Sequence, residues 1–230
     1  MGLKIKNSKN IVTDGLVLNL DASDKLSYSG SGTSWIDRSG NNNNGSLVNA
    51  TFSNNSIQFD GTNDYVSVGN VGTNSVKTVV CWFSMNNVNS SMALFGFGSE
   101  DINTQDIYIW GGDNNGPFGF NHWNGDSWGY SSAENEIKNQ GFFQVAAEFD
   151  FADYTNNALW VNGVSKVLAN HRGTNVQRNQ SNNFGIGSNG WKTNNQTWNG
   201  AISSILVYDR ALSSNEVLQN YNATKGRFGL

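Results

Sequence analysis

The chain has 230 residues, 37 % of them hydrophobic and only 14 % charged, with a net charge of −4 and one cysteine. Its acidic balance speaks against nonspecific nucleic-acid binding, which needs a basic footprint to release counterions, and a lone cysteine excludes an intrachain disulfide. About one residue in six is Asn, so the exposed surface is polar through amides rather than ions.

A low-complexity, disordered reading of the Asn-rich composition is opposed by eight Trp and thirteen Phe, ample for a core. There is one proline, Pro117, and no Ser/Pro-rich or single-sign stretch to mark a linker, so one domain is expected. Its bounds are read as an N-terminal tail over 1–12 with Lys4, Lys6 and Lys9, a β-sandwich over 13–224, and a C-terminal tail over 225–230. Met1 to Leu20 holds no continuous apolar run of the kind a secretory signal needs, and no later run approaches membrane-spanning length.

In chain order, Gly15 to Ala22 predicts a first strand and Ser46 to Val48 a short one. Ser56 to Val68 reads as a hairpin, two alternating runs joined by Asp60-Gly61-Thr62-Asn63, with Asp60 and Asp64 fixing the turn through Asx-type bonds. Val76 to Met85 predicts a central buried strand with Cys81 inside it, followed by Met92 to Phe97, Asp106 to Trp110, Phe118 to Trp123 and Ser127 to Ser131. Further strands fall at Phe142 to Phe149, Ala158 to Asn162, Val164 to Leu168 and Phe184 to Gly187. Asn and Gly tolerate positive φ, so the amide-rich intervals between these runs read as loop tips.

The stretch Trp198 to Glu216 carries the most information. Residues 202 to 208 are apolar on both faces, as in a strand covered on both sides. Ser213 and Glu216 stand at capping-box spacing, and the helix that follows, from Ser214 to Ala223, is expected to bury Val217, Leu218 and Tyr221.

This terminal strand, "YDRALS" and the capped helix resemble the laminin-G-like jelly rolls of the concanavalin A-like lectin and glucanase superfamily. The segments GLVLNLDAS, WIDRSGNNNNGSL, IQFDGTNDYVSV, FFQVAAEFD with LWVNGVSKVL, and NGAISSILVYDRALSSNEV follow the order of that family over nearly the whole chain. The resemblance implies an all-β antiparallel sandwich of jelly-roll type with one C-terminal helix. The opening near Met1 and the closing NYNATKGRFGL are similar in style to domains of tailed-phage virion proteins.

Because the superfamily includes glucanases, the resemblance makes paired carboxylates the residues that bear on catalysis. Retaining glycosidases need two about 5 Å apart, which on a strand means acids two or four residues apart. Glu148 and Asp150 are the near match, but the acid/base Glu of the family pattern is missing after them, and Glu134 and Glu136 read as loop residues. His122 and His171 are the only histidines, no Cys-x-x-Cys exists, and Gly111-Gly112 lacks the Lys of a phosphate loop. No catalytic residue is assigned.

Calcium-binding relatives hold the ion through loop oxygens. Asp101, Asn103 and Asp106 form part of such a set here, whereas the partner loop Ser188 to Asn195 has no carboxylate, and Ser203-Ser204 stand where relatives often carry acids. No cofactor is therefore expected, with calcium at the Asp101 set as the alternative to solvated loop acids.

A glycan site needs aromatic faces beside amides and carboxylates. The elements around Trp110, Asp113, Asn121, Trp123, Asn124, Asp126, Trp128 and Tyr130 supply both, and Trp191 and Trp198 border the last loop. The competing use of each Trp is to fill the core. The reading favoured is a non-catalytic virion structural or decoration protein with a lectin-like domain that contacts host-surface glycans or other particle proteins, without nucleic acid or membrane insertion. Homo-oligomerisation is left open. The alternatives are a free, extracellular bacterial carbohydrate-binding module and a glycoside hydrolase.

Overall fold

The computed structural model describes residues 10–86, 91–99, 102–109, 118–122, 126–130, 137, 141–172, 183–188 and 196–230, with backbone alone at 99, 102–105, 122, 126–128, 130 and 170–172. Two antiparallel sheets face each other. One consists of β1 (Leu16–Asp21), β4 (Thr51–Ser53), β5 (Ser56–Asp60), β7 (Val76–Met85), β12 (Phe143–Asp150), β13 (Ala158–Val161), β14 (Val164–Lys166) and β17 (Asn199–Tyr208). Its order is β14-β13-β12-β7-β17-β5-β4, with β1 also pairing β17. The other holds β2 (Ser34–Trp35), β3 (Gly45–Val48), β6 (Tyr65–Asn70), β8 (Met92–Ser99), β9 (Ile102–Ile109), β10 (Phe118–His122), β11 (Asp126–Tyr130), β15 (Ala169–Arg172) and β16 (Asn183–Ile186), in the order β15-β11-β10-β9-β8-β16-β6-β3-β2.

The core between the sheets is aromatic. Phe83, Phe95, Phe97, Phe118, Phe120, Phe149 and Phe184 are all buried, with edge-on contacts such as Phe97 to Phe149 at 5.2 Å. Trp198 belongs to the same cluster and donates its indole N–H to the Ser84 carbonyl at 3.0 Å.

The strand β17 is the hinge of the design. Along one edge it pairs β7, and along the other it pairs β5 through Asn199–Ile202 and then β1 through Ser204–Tyr208. A register shift between Ile202 and Ser204 breaks the simple alternation, so Ile202, Ile205 and Val207 all enter the main core while Leu206 and Tyr208 face the other way.

That second face explains why both sides of the strand are apolar. The helix α1 (Ser214–Thr224) lies over it, and Val12, Val80, Ala146, Trp160, Leu206, Tyr208, Leu212 and Val217 form a separate buried cluster. The capping box is present as read: Ser213 Oγ accepts from the Glu216 amide, and the Glu216 carboxylate accepts from the Ser213 amide at 2.9 Å. The buried stripe of α1 differs from the expected one. Val217 and Asn220 are buried, whereas Leu218 is 43 % exposed and Tyr221 is half-buried.

Beyond α1, Lys225–Phe228 form a 3-10 turn against the same sheet. Phe228 stacks on Trp82 at 4.2 Å, and Tyr221 stacks on it at 5.8 Å. Arg227 clasps both carboxylate oxygens of Asp21 at 2.7 and 2.8 Å.

The segment expected as a hairpin is instead a crossover: β5 pairs β17 and β4 in one sheet, whereas β6 pairs β16 and β3 in the other. Asp60 and Asp64 fix the bend as expected, Asp60 accepting from the Thr62 amide at 2.7 Å and Asp64 from the Asp60 amide at 2.8 Å. Three strands were not foreseen, β2, β4 and β15. No helix among the described residues is long and apolar enough to cross a membrane.

Candidate functional site

Of the glycan-site candidates read from the sequence, Asn121 lies on β10 and Asp126, Trp128 and Tyr130 on β11, neighbours in the nine-stranded sheet, whose outer face is the one turned away from the core. On β10, Phe118 and Phe120 are buried in the core, so Gly119 and Asn121 alternate to the outer register. Asn121, partly buried, lies opposite Asp106 on β9 and Ser127 on β11. Position 128 pairs with Phe120 and position 130 with Phe118, so Trp128 and Tyr130 occupy the register of the core-facing residues, and Asp126 pairs with His122. Trp110, Asp113, Trp123, Asn124 and Trp191 lie outside the described residues.

The centre of this face is not open. Asp106 is 1 % and Tyr108 3 % exposed, and burial, with the Asp106 charge adding to it against a Ser91 hydrogen bond, lifts the Tyr108 hydroxyl to about 12. Every tryptophan whose side chain is described, Trp35, Trp82, Trp160 and Trp198, is buried. Trp198 thus serves the core rather than a sugar surface.

The calcium set is divided. Asp101 lies outside the described residues, while Asn103 and Asp106 sit within β9 rather than in a loop before it. Among the described residues no three His, Cys, Asp or Glu side chains gather as a metal site.

Glu148 and Asp150 share one face of β12, alternating with the core residues Ala147 and Phe149 and hence on the side away from the main core. Both oxygens of Asp150 are engaged. One accepts from the amides of Ala152 and Asp153 at 2.9 Å each, the other from the Asn156 side chain at 3.0 Å. Against the opposing pull of burial, these bonds hold its carboxyl below the usual range, whereas burial and the neighbouring Asp150 charge raise Glu148. Asp150 is a turn fastener, a use the sequence spacing alone does not distinguish from that of a nucleophile.

Sequence reasoning missed one polar concavity. At the crossover between the sheets, a cleft of about 630 Å3 is lined by Asn49, Gln58, Asp60, Asn63, Asn86 and Asn199, with Phe59 beneath. Its amides are held in place: Asn49 donates to the Asn63 carbonyl at 3.2 Å, Gln58 to the Ser53 carbonyl at 3.1 Å, and Asn86 to the Asn199 side chain at 3.3 Å. Burial pushes the Asp64 carboxyl up, with the Asp60 amide bond opposing and the Asp60 charge adding to it. Such a cleft offers alternating donors and acceptors to ligand hydroxyls. The signal in the sequence was the Asn content itself, spread over four separate segments.

Two facing antiparallel sheets with amide-rich rims define a lectin-like sandwich. The family model described as the concanavalin A-like lectin/glucanases superfamily, of laminin-G type, matches residues 60–218, and the chain belongs to that family. No curated protein matches it. Among solved structures, Trypanosoma rangeli sialidase in complex with a difluoro-KDN compound is similar with a TM-score of 0.66 at 16 % identity, over 92 % of this chain and 33 % of that one. This chain therefore spans about a third of the sialidase's length. The receptor binding domain of a botulinum neurotoxin C/D mosaic matches with a TM-score of 0.61 at 13 % identity, over 93 % of this chain and 52 % of that one. Domain 4 of AbnA, an extracellular GH43 arabinanase from Geobacillus stearothermophilus, in complex with arabinotriose, matches with a TM-score of 0.60 at 16 % identity, over 90 % of this chain and 98 % of that domain. At these identities the likeness is one of fold.

Proposed function

We propose that this chain is a non-catalytic, lectin-like binding protein that recognises glycans through polar amides, displayed as a virion structural or decoration protein. The observation that carries the reading is the amide-lined cleft at the Asp60–Asp64 crossover, whose size lies in the range of small-ligand sites. Asp150, one of the two candidate catalytic acids, is occupied with turn bonds, which favours binding over hydrolysis. In this proposal Trp110, Trp123 and Trp191 are the candidate stacking residues, with Asp113, Asn121, Asn124 and Asp126 as hydroxyl partners, whereas the core-facing register of positions 128 and 130 sets Trp128 and Tyr130 aside. The virion setting draws on the likeness in overall style to domains of tailed-phage virion proteins, and the partners would be host-surface glycans or neighbouring particle proteins.

A glycan array probed with the purified protein tests the binding role: a specific signal that weakens in Asn63→Ala or Trp123→Ala supports it, and a blank array overturns it. Hydrolysis of a bound glycan that is lost in Glu148→Gln would overturn the non-catalytic part. Detection in purified particles by mass spectrometry tests the setting. One observation favours a second reading, a carbohydrate-binding module outside any virion: the chain matches a single arabinanase domain over nearly that domain's full length.

A further inference from the structure

Asp60 and Asp64 give the crossover cleft two carboxylates, and the bend they fasten uses one oxygen of each. Asp60 Oδ1 accepts from the Thr62 amide at 2.7 Å, and Asp64 Oδ2 accepts from the Asp60 amide at 2.8 Å. Among the described residues the second oxygen of each has no hydrogen-bond partner, and neither carboxylate enters an ion pair.

Asp64 is the informative residue. It lines the cleft and is only 5 % exposed, yet its unpartnered Oδ1 is not sealed from solvent. A carboxylate set this deep beside a second negative charge is unfavourable until a positive group reaches it. Burial, against the Asp60 amide bond and with the Asp60 charge adding to it, accordingly pushes its carboxyl up.

The neighbouring amides are turned to accept as well. Asn49 Nδ2 donates to the Asn63 carbonyl at 3.2 Å, and Gln58 Nε2 donates to the Ser53 and Ser56 carbonyls at 3.1 and 3.4 Å. A carbonyl can only accept, so both amides are fixed with the nitrogen towards the chain. Asn49 Oδ1 and Gln58 Oε1 are left without a donor among the described residues. Two carboxylate and two amide oxygens on residues lining one cleft favour a ligand that donates hydrogens and carries positive charge.

Ligation and size decide between a metal ion and an organic cation. Calcium gathers about six to eight oxygens around one point, whereas among the described residues no three acidic side chains gather in that way. The cleft, about 630 Å3, is also far larger than an ion needs. An ammonium group is satisfied by about three acceptors, and the molecule that carries it fills the remaining space. Asn63, whose side chain makes no hydrogen bond among the described residues, can turn either end of its amide to a ligand hydroxyl.

We propose that the cleft binds an amino sugar with a free ammonium group, which is held by the Asp60 and Asp64 carboxylates while the ring hydroxyls meet Asn63. That a sugar carries the charge rests on the lectin-like reading proposed above; the preference for positive charge rests on the two carboxylates.

The test titrates the full chain with methyl glucosaminide, its N-acetylated form and methyl glucoside, followed by calorimetry and side-chain amide NMR. It is run at about pH 6, where an amino group is protonated and a carboxyl ionised. The expected result is that the glucosaminide shifts the Asn49, Gln58 and Asn63 side-chain signals. It should bind about tenfold tighter than either neutral glycoside, the margin of a charge-assisted hydrogen bond over a neutral one. Asp60→Asn and Asp64→Asn each keep an acceptor for the turn and remove a charge, so each shrinks that preference. Asp60, which is exposed, supplies the deciding variant should Asp64→Asn fail to fold. Equal binding of the three glycosides, or a preference that survives both variants, overturns the ammonium site and leaves the lectin-like reading standing. A glycan-array signal without glucosaminide binding does the same. Glycoside binding that appears only with added calcium would assign the carboxylates to a metal and overturns it too. Absence of binding to all three glycosides, together with a blank array, overturns both readings.

Discussion

The Lys77 ammonium, with no exposed side-chain surface, lies 2.8 Å from the Asp209 carboxylate and 2.8 Å from the Asn74 carbonyl. Asp209 in turn accepts from the amides of Thr73 and Asn74 at 3.1 and 3.0 Å, so one carboxylate ties the end of β17 to the loop that starts β7. Burial opposes its charge, and the bonds from Lys77, Thr73 and Asn74 together hold its carboxyl below the ordinary range. Removing one partner of a buried pair strands the other charge, which costs about 3–5 kcal/mol. Asp209→Ala is expected to lose stability at the lower end of that range, because Asp209 keeps some solvent contact. Urea denaturation of the variant against the parent checks this, and a loss below about 1 kcal/mol, as for an exposed pair, would contradict it.

Glu216 gives the pH dependence. Its carboxylate accepts from Arg210 at 2.6 and 3.2 Å and from the Ser213 amide and hydroxyl at 2.9 Å each, and the Arg210 bond with the Ser213 bonds takes it from 4.5 to about 2. A carboxyl depressed by folding stabilises the native state fully above its unfolded value, and that contribution is lost as the pH falls from about 4.5 towards 2. The expected outcome is a melting temperature that declines through this window in the parent chain and declines less in Glu216→Gln. An identical acid limb in both would refute the role given to Glu216.

These two residues also show what was legible in the sequence. The order "YDRALS" with a capped helix identified the family, and each of its polar members proves to fasten something: Asp209 to Lys77, Arg210 to Glu216, Ser213 to the first turn of α1. Apolar faces on both sides of residues 202–208 correctly announced a strand covered twice. The bend at Asp60–Asp64 was misread because a hairpin and a crossover between sheets use the same turn chemistry; only the pairing partners of β5 and β6 distinguish them. Trp198 and Asn220 illustrate the same limit. The helical stripe offered Leu218 to the core and the sequence left Trp198 between core and ligand, whereas packing buries Trp198 against Ser84 and selects Asn220, since a buried amide can serve both a neighbouring strand and an incoming chain. The amide cleft was hidden for a further reason: it gathers residues from distant segments of the chain, and no local pattern marks it.

Cys81 lies in β7 with no exposed surface, and burial pushes its thiol well above the ordinary range. The thiolate is the reactive form, so native protein should resist alkylation by iodoacetamide and react only as it unfolds. Mass spectrometry across a urea series checks this. Modification at a rate independent of denaturant would show that the strand opens locally, at odds with its place between β12 and β17.

Asn220 is fully buried on α1, where its Oδ1 accepts from the Val12 amide at 2.8 Å and its Nδ2 donates to the Tyr208 hydroxyl at 3.2 Å. Tyr208 closes the triangle by donating to the Val12 carbonyl at 2.9 Å. Helix, central strand and entering chain thus meet at one amide. Asn220→Leu keeps the branching and number of heavy atoms but leaves the Val12 amide without its acceptor, a desolvation penalty of about 1–3 kcal/mol. Part of that is returned by the added apolar burial against Val217 and Leu212. The expected outcome is a modest loss in global stability together with a disproportionate rise in hydrogen exchange at Val12, since exchange there requires only that the entering segment lift off. Unchanged Val12 protection in the variant would mean that Tyr208 alone holds the segment and that the amide is dispensable.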